Sequence, residues 1–338
     1  MDNRLKNLGD WAKEIYAEDA IRISPASADA SFRRYFRVEH QDGSHIIMDA
    51  PPDKEDSEPF VRISSYLASL ALNVPQVVNS QDKQGFYLLT DLGSTQYLDF
   101  LTTDNVDRLY QDAMQALFVM QSRCKQPEAR IPPYDEPLLL TEMGLFSEWY
   151  LGHELKASLS KRQLEIIQSS YQILANSALQ QPNVFVHRDY HSRNLMFVES
   201  ANPGILDFQD AVWGPVTYDL VSLLRDCYIT WPQQKVESWM KKYYSWLCDD
   251  GLISDVSEIQ FIRWFDLMGM QRHLKASGIF ARLNHRDNKP GYMNDIPRTM
   301  NYLLSVASNY SEFDDFLSVM DELGIPEKLS LTPMENTW

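Results

Sequence analysis

The segment VHRDYHSRNLMFVESANPGILDFQD, residues 186–210, constrains the fold of this chain more than any other stretch. Two short apolar runs, LMFV and GIL, flank a turn at residues 201–203 and predict a β-hairpin. Asn194 stands just before the first run and Asp207 just after the second. A hairpin brings its two ends together, so the side chains of Asn194 and Asp207 are expected to lie close in space.

The loop before this hairpin has the residues of a phosphoryl-transfer site. His187, Arg188 and Asp189, with Asn194 five positions after Asp189, match the HRDxxxxN pattern of kinase catalytic loops. In that pattern Asp189 accepts a proton from an attacking hydroxyl or orients it. Asn194 and Asp207 offer oxygen atoms to Mg²⁺, which prefers oxygen ligands. The sequence therefore predicts one base and two metal ligands acting on a single phosphate, with His187 as a hydrogen-bonding residue of the loop.

Asp219 stands at the start of the apolar helix predicted from TYDLVSLLRD. An acid in the first turn of a helix is favourable because it complements the exposed N–H groups and the helix dipole. A second role, bracing the catalytic loop through its backbone amides, is compatible with the first. We expect Asp219 to support the loop structurally.

The composition limits the classes of partner. The chain has 338 residues and a net charge of −16, and 44% of its residues are hydrophobic. This length favours two lobes over a single core. A nucleic-acid-binding protein would need a basic face, which this composition does not suggest. The acidity could attract cations, including metal ions or cationic substrates, or could simply reflect a solvated surface.

The cysteine pattern and the N-terminus predict a cytosolic protein. Cys124, Cys227 and Cys248 are far apart and form no CxxC pair, which argues against a disulfide framework or a zinc site. The N-terminal segment has no apolar core typical of a signal peptide, and no apolar run reaches the length of a membrane span. We expect a monomer that binds a small molecule, with neither a nucleic-acid nor a membrane partner.

Hydrophobic periodicity predicts an α+β fold. Residues 1–90 should form a small antiparallel β lobe with an amphipathic helix at 3–17 and another at about 58–72. Residues 91–95 form a connector, and residues 96–338 a large, mainly helical lobe. A ligand cleft is expected where the two lobes meet.

Three stretches carry a resemblance to a known family: DASFRRYFR (29–37), the HRDYHSRNLM to TYDLVSLLRD region, and QRHLKASGIFARL (271–283). With them the chain resembles the aminoglycoside phosphotransferase and choline kinase branch of the protein-kinase-like fold. More narrowly, it is similar to bacterial anomeric sugar kinases that phosphorylate N-acetylmuramate and N-acetylglucosamine. The resemblance implies a two-lobe kinase fold, ATP and Mg²⁺ as cofactors, and a role in cell-wall sugar recycling.

The resemblance also implies roles for individual residues. Asp189 is the base, and Asn194 and Asp207 bind Mg²⁺. The backbone at Thr90, Asp91 and Leu92, where the connector begins, holds adenine. The turn that covers the ATP phosphates consists of Ser27, Ala28, Asp29, Ala30, Ser31, Phe32, Arg33 and Arg34.

Two departures from the kinase pattern affect the phosphate site. The turn has no glycine, which makes close backbone approach to phosphate less free. The strand that should carry a lysine has Met48 and Asp49 at that place. Arg33 and Arg34 are candidates for the missing cation, since guanidinium binds phosphate bidentately, although either could be a surface arginine. Glu58 could be the helix acid that normally pairs with the lysine.

The acceptor site is predicted in the helical lobe, where aromatic faces can stack on sugar rings and arginine can hold a carboxylate. Such aromatic residues are often core residues instead. The basic segment 271–286 favours an anionic or neutral sugar over a polycationic aminoglycoside, unless it only balances charge. The candidate acceptor residues are Trp149, Arg225, Asp226, Arg272 and Arg282.

Two alternative functions are also compatible with the sequence. The chain could phosphorylate an aminoglycoside or another hydroxyl compound. It could also be a non-catalytic ATP-binding partner protein, because the glycines and the lysine of kinases are missing. The presence of Asp189, Asn194 and Asp207 argues against the second alternative.

Overall fold

The computed structural model describes residues 3–16, 21–28 and 32–330, with the backbone alone at residues 27 and 28. The strands are β1 (Arg22–Ala28), β2 (Arg34–His40), β3 (Gly43–Asp49), β4 (Val77–Gln81), β5 (Phe86–Thr90), β6 (Asn183–Val186), β7 (Leu195–Met196), β8 (Gly204–Ile205) and β9 (Val212–Pro215). The α-helices are α1 (Asn3–Tyr16), α2 (Glu58–Ser69), α3 (Tyr97–Phe100), α4 (Val106–Arg123), α5 (Gln126–Ala129), α6 (Glu136–Leu145), α7 (Lys161–Leu179), α8 (Tyr218–Leu224), α9 (Gln233–Asp250), α10 (Glu258–Asp287), α11 (Ile296–Ala307), α12 (Asp314–Glu322) and α13 (Ile325–Lys328). A π-helix covers Phe146–Glu154, and 3₁₀ helices cover Pro290–Asp295 and Ser311–Phe313. Within the described ranges, no helix is long and apolar enough to cross a membrane.

The chain divides into two compact units. The first comprises Met1–Cys124 and Arg193–Asp210, and the second comprises Lys125–Ser192 and Ala211–Trp338. The hairpin β7–β8 and helices α3 and α4 therefore belong to the unit that contains the large sheet. The predicted lobe boundaries, 1–90, 91–95 and 96–338, differ from this division and stay a prediction.

The first unit contains the predicted antiparallel sheet, with strand order β1-β2-β3-β5-β4. Helix α1 covers one face of the sheet, and the apolar spacing predicted for residues 3–17 is confirmed up to Tyr16, while residue 17 lies outside the described residues. The core of this face comprises Leu8, Trp11 and Ala12 of α1 with Phe36, Val38, Ile47, Phe86 and Leu88 of the sheet.

The predicted hairpin is present as β7–β8, in which Leu195 pairs with Ile205 and Met196 with Gly204. It contacts the rest of its unit through bridges of Met196 to Gln96 and of Gly204 to Asn73. A Cβ atom at Gly204 would lie 3.0 Å from Leu92 Cδ1 and 3.2 Å from Met196 Cβ. Glycine at this position therefore allows the second strand to pack closely against the connector.

The second unit is mainly helical and is organised around the 30-residue helix α10. A Cβ atom at Gly278 would lie 2.4 Å from the carbonyl carbon of Leu145, so glycine allows α10 to touch the backbone where α6 meets the π-helix. The unit also contains two strands that sequence periodicity did not predict. β6 and β9 pair antiparallel on either side of the hairpin in sequence, with Val186 opposite Val212.

Buried His273 of α10 predicts acid-dependent stability. Burial lowers the pKa of His273 to about 3, whereas an exposed histidine titrates near 6.5. Between these values this histidine binds more protons in the unfolded chain, so its contribution to the free energy of unfolding falls as pH drops below 6.5. We expect this contribution to fall by about 2 kcal/mol from pH 7 to pH 5.

The variant His273→Gln tests this expectation. Its side-chain N–H can replace the contact between His273 Nε2 and the carbonyl oxygen of Arg225, which is 3.0 Å long in the wild type. Urea unfolding at pH 5 and pH 7 should show that the variant loses about 2 kcal/mol less free energy of unfolding than the wild type between pH 7 and pH 5. Equal differences in the two proteins would contradict a buried, neutral His273.

Candidate active site

The catalytic loop follows β6, and Asp219 holds its first residues. Asp219 is fully buried in the first turn of α8. Its carboxylate accepts hydrogen bonds from the backbone N–H of His187 at 2.6 Å and of Arg188 at 3.0 Å. Arg188 has a φ of +76°, a left-handed conformation that costs a non-glycine residue about 1–3 kcal/mol. The two N–H bonds offset this cost and have the geometry that the predicted bracing role requires.

Asp226, just after α8, holds the other end of the same loop. Its two carboxylate oxygens accept the backbone N–H groups of Ser192 and Tyr228, each at 2.9 Å. Asp226 is fully buried. The sequence placed Asp226 among the acceptor residues, but these bonds favour a structural role in shaping the loop.

Asp189 lies between these two anchors in a positively charged environment. Burial alone would raise the pKa of its carboxyl group, but the charges of Lys275, His191, Arg272 and Arg188 outweigh burial and lower the pKa to about 2. The backbone N–H of Asp189 donates to His187 Nδ1 at 3.3 Å, which gives His187 the hydrogen-bonding role predicted for it. Asp189 is therefore ionised at neutral pH.

The buried carboxylate of Glu142, in α6, contacts two cationic side chains near the loop, Arg188 and Lys275. It accepts hydrogen bonds from Arg188 Nη2 and Tyr134 Oη. It also forms an ion pair with Lys275, whose Nζ atom lies 3.0 Å from Glu142 Oε1. Lys275 also donates to Tyr218 Oη at 3.0 Å. Burial would raise the pKa of Glu142, and the charges of Lys275 and Arg188 reverse this effect and lower it. Glu142 and Lys275 lie far apart in the chain, so no spacing in the sequence connects them.

Arg272 of α10 contributes a further buried cation to this region. It is only 5% exposed and has no carboxylate within 4.0 Å among the described residues. Its Nη1 atom lies 3.8 Å from Cys227 Sγ, and its Cζ atom lies 5.8 Å from the ring centre of Tyr218. Its Nε atom has no hydrogen-bond partner. The Arg272 guanidinium thus has spare hydrogen-bonding capacity. It lies on the side of α10 that contacts α8, the helix that carries Asp219.

The other predicted acceptor residues have different surroundings. Arg225 is buried, pairs with Asp266 at 2.6 Å and lies over the ring of Phe265, so its charge is satisfied within the unit. Trp149 lies in the π-helix, where His153 stacks on its ring at 4.6 Å. Arg282 is half-buried, two to three turns beyond Arg272 on α10. The structure places Arg272 and Asp226 at the loop region, and the acceptor roles of all five residues stay predictions.

The predicted metal ligands, Asn194 and Asp207, meet at the base of the β7–β8 hairpin in the first unit. Asn194 Nδ2 donates to Asp207 Oδ2 at 3.3 Å, and the N–H of Leu206 donates to the carbonyl oxygen of Asn194 at 2.9 Å. Asp207 has a φ of +67°, a conformation that aspartate tolerates better than most residues. Gln209, which sequence reasoning did not single out, donates from Nε2 to Asp207 Oδ1 at 2.7 Å.

The donor set of these three side chains fits Mg²⁺. Asp207 contributes a carboxylate. The side-chain amides of Asn194 and Gln209 donate through their nitrogen atoms to Asp207, and each amide also has an oxygen atom on the other side of its carbon. A half-turn of either amide group would present that oxygen instead. Mg²⁺ takes oxygen ligands and retains several of its waters or phosphate oxygens, so two or three protein ligands suffice.

The predicted phosphate turn is described at its two ends. Ser27 and Ala28 belong to β1, where they pair with Tyr35 and Arg34, and Asp29, Ala30 and Ser31 lie outside the described residues. The backbone N–H of Phe32 donates to Glu55 Oε1 at 3.0 Å, and Arg33 Nη2 lies 3.3 Å from Glu55 Oε2.

Arg34 and the acid predicted on α2 have other partners. Arg34 Nε donates to Asp49 Oδ2 at 3.0 Å. Glu58 forms a surface pair with Arg62 at 2.8 Å, one turn along α2. The two adjacent arginines thus contact different acids, Glu55 and Asp49.

The connector residues are fixed mainly through Asp91. Its carboxylate accepts hydrogen bonds from Arg37 Nε at 2.6 Å, from Ser44 Oγ at 2.7 Å and from the Gly93 N–H at 2.9 Å. The backbone N–H of Thr90 donates to the carbonyl oxygen of Gln76 at 3.0 Å, and Thr90 Oγ1 accepts the backbone N–H of Gln76 at 2.9 Å. These contacts hold the backbone of Thr90 and Asp91 in place, which the predicted binding of adenine by this segment would require.

Comparison with known proteins identifies the family. Residues 22–252 match the model of the phosphotransferase enzyme family APH. An N-acetylmuramate/N-acetylglucosamine kinase of Pseudomonas putida is 44% identical over 95% of this chain and 97% of its own length. A kinase of the same name from Neisseria meningitidis is 39% identical over 97% of this chain and 98% of its own length.

Solved structures support the same fold at low sequence identity. Aminoglycoside phosphotransferase APH(2'')-Ib with bound ADP has a TM-score of 0.59 at 15% identity and covers 89% of this chain and 98% of its own. The choline kinase LicA from Streptococcus pneumoniae has a TM-score of 0.58 at 13% identity, with 88% and 99% covered. The predicted α+β, protein-kinase-like fold is confirmed, and the chain belongs to the APH phosphotransferase enzyme family.

Proposed function

We propose that this chain is a cytosolic, ATP- and Mg²⁺-dependent kinase that phosphorylates the anomeric hydroxyl of N-acetylmuramate and N-acetylglucosamine. The observation that carries the proposal is the 44% identity, over nearly the whole chain, with a kinase named for these two sugars. The braced loop that presents an ionised Asp189 supports it. The reaction would serve the recycling of cell-wall sugars.

In the proposed reaction the acceptor hydroxyl oxygen forms a bond to the γ-phosphorus of ATP while the bond from this phosphorus to ADP breaks. Asp189 orients the hydroxyl and takes its proton as the new bond forms. A carboxylate with a pKa of about 2 is a weak base. A hemiacetal hydroxyl is more acidic than an ordinary alcohol, which makes the anomeric position a suitable acceptor for such a base.

Asn194 and Asp207, with Gln209 beside them, would hold Mg²⁺. A bound Mg²⁺ would neutralise charge on the phosphate oxygens. The residues of the β1–β2 turn would cover the phosphates, and the backbone at Thr90 to Leu92 would hold adenine.

The charge of the loop region favours an anionic or neutral acceptor. Arg272 and Lys275 are buried on α10, and both contribute to lowering the pKa of Asp189. The nearby acid, Glu142, already binds Arg188 and Lys275. A polycationic aminoglycoside would need unpaired acids here, whereas N-acetylmuramate carries a carboxylate that a guanidinium can bind.

An assay of ATP consumption against a panel of sugars and aminoglycosides tests the proposed function. We expect turnover with N-acetylmuramate and N-acetylglucosamine, and phosphorus NMR should show a phosphate at the anomeric position. Turnover with aminoglycosides alone would instead identify an antibiotic phosphotransferase. Binding of Mg·ATP without turnover on any member of the panel would indicate a non-catalytic ATP-binding protein.

Arg272 is expected to discriminate between the two sugars, because only N-acetylmuramate has a lactyl carboxylate. A charge-assisted hydrogen bond contributes about 1.5–3 kcal/mol, which corresponds to roughly a tenfold to hundredfold effect. The variant Arg272→Gln should therefore raise KM for N-acetylmuramate at least tenfold and change KM for N-acetylglucosamine by less than about threefold.

Steady-state kinetics of Arg272→Gln and Arg282→Gln with both sugars separate the possible outcomes. A change of the KM ratio in Arg282→Gln alone would move carboxylate recognition towards the end of α10. An equal loss of activity on both sugars in Arg272→Gln would show that Arg272 acts through Asp189 and does not recognise the carboxylate.

A further inference from the structure

The strand β3 lacks the lysine that pairs with a helix glutamate and binds phosphates in protein kinases. Met48 and Asp49 stand at this place, and their side chains point to opposite faces of the sheet because strand residues alternate. In the register of the sheet, Met48 pairs with Tyr35 and Tyr87, and Asp49 pairs with Arg34 and Phe86. Arg33 and Arg34, the candidates for the missing cation, must therefore be distinguished by where their side chains lie relative to the two faces of the sheet.

Arg34 belongs to the face that α1 covers. Its partner Asp49 is fully buried and also accepts a hydrogen bond from Arg4 Nε of α1 at 3.0 Å. Arg4 donates in addition to the carbonyl oxygen of Gln84 at 2.7 Å and lies 5.1 Å from the ring centre of Phe86. Arg34 thus neutralises a buried carboxylate beneath α1 together with Arg4, which is a structural task.

Arg33 precedes Arg34 by one residue, but its guanidinium contacts a different carboxylate, that of Glu55. Only 8% of Arg33 is exposed, and Nη2 lies 3.3 Å from Glu55 Oε2 in the segment between β3 and α2. Glu55 also accepts the backbone N–H of Phe32 at 3.0 Å. One carboxylate therefore holds both the cation and the backbone at the end of the β1–β2 turn.

We propose that Arg33 and Glu55 together replace the lysine–glutamate pair of kinases, with Arg33 binding the nucleotide phosphates and Glu55 orienting Arg33. The inference rests on the proposed function, since it assumes a nucleotide at this turn. The cation comes from the turn and the acid from the segment before α2. Glu55 is a positioning residue, whereas Glu58 pairs with Arg62 on the surface of α2.

Binding measurements with ATP and with adenosine, both with Mg²⁺ and without acceptor, test the proposal directly. Adenosine lacks the phosphates, so the ratio of the two affinities isolates phosphate contacts from general damage to the site. Arg33→Gln should weaken ATP binding about tenfold or more and adenosine binding less than twofold. Arg33→Lys should recover part of the loss because it restores the charge.

The acid is tested by Glu55→Gln and by the double variant Arg33→Gln/Glu55→Gln. Glu55→Gln should weaken ATP binding a few-fold. The double variant should bind ATP no more weakly than Arg33→Gln alone, because the amide oxygen of a glutamine at position 55 can still accept the N–H of Phe32 and only the contact with Arg33 is lost. The double variant also avoids leaving a buried charge unpaired, and its melting temperature shows whether folding is intact.

Two further variants serve as comparisons. Arg34→Gln removes a partner of the buried Asp49 and should lower the melting temperature, with a smaller change in the ATP-to-adenosine ratio than Arg33→Gln. Arg62→Gln breaks a similar Arg–Glu pair on the surface of α2 and should match the wild type in this ratio.

A larger loss of the ratio in Arg34→Gln than in Arg33→Gln would overturn the assignment in favour of Arg34. An unchanged ratio in Arg33→Gln would exclude Arg33 as a phosphate ligand. If the wild type binds no nucleotide at all, the proposed function fails and this inference fails with it. If the wild type binds ATP and Arg33→Gln keeps its ratio, only the assignment of the pair fails.

Discussion

Replacing Asp189 with asparagine is expected to lower kcat for sugar phosphorylation about a thousandfold while the affinity for Mg·ATP changes less than twofold. General base catalysis contributes about 10²- to 10⁴-fold in enzymes. Asparagine fills the same space and can still contact the acceptor hydroxyl, but it cannot take the proton. Rapid-quench kinetics and calorimetric titration with an ATP analogue measure the two quantities separately.

The pKa of Asp189 makes this prediction more specific. Burial raises it, but the charges of Lys275, His191, Arg272 and Arg188 prevail and place it at about 2. A carboxyl group with a lowered pKa stays ionised as pH falls until that pKa is reached. We therefore expect that no inflection of kcat/KM between pH 5 and pH 8 originates from Asp189.

An exposed aspartate outside the proposed site provides the control for Asp189→Asn. Asp249 is an exposed acid near the end of α9, and Asp249→Asn should keep the kinetic constants of the wild type. Near-normal turnover by Asp189→Asn would show that Asp189 is not the base. A parallel loss of nucleotide affinity in this variant would show that Asp189 has a structural role instead.

Much of the fold could be predicted because its signals are local. The apolar spacing of α1 and α2 is visible in short windows of the sequence. β6 and β9 escaped prediction because each has four residues and its partner lies beyond the β7–β8 hairpin. The π-helix at Phe146–Glu154 was also missed, since its composition does not differ from that of an α-helix.

The site shows the same division between local and distant signals. The HRDxxxxN spacing singles out Asp189 and Asn194 as candidates, and the start of an apolar helix singles out Asp219. The Glu142–Lys275 ion pair joins residues far apart in the chain, so no short pattern could show it. Glu55 was overlooked because Glu58 lies inside a recognisable helix, whereas Glu55 precedes it.

Asp207→Asn is expected to lower kcat/KM for ATP at least a hundredfold and to raise the Mg²⁺ concentration needed for half-maximal activity. The variant removes the one carboxylate of the donor set formed with Asn194 and Gln209. Charge stabilisation by a metal ion contributes several kcal/mol to such reactions. Asparagine also tolerates the left-handed backbone of residue 207, so the hairpin should keep its shape.

Manganese binding offers a readout of this site that is independent of turnover. Paramagnetic resonance of Mn²⁺ titrated into the ATP-bound protein should show weaker metal binding for Asp207→Asn, whereas adenosine affinity should remain within twofold of the wild type. Gln209→Ala, which removes a neutral neighbour of Asp207, should have a smaller effect. Because the charge lost in Asp207→Asn is the only full charge in this donor set, an unchanged affinity for Mn²⁺ would exclude Asp207 as a metal ligand.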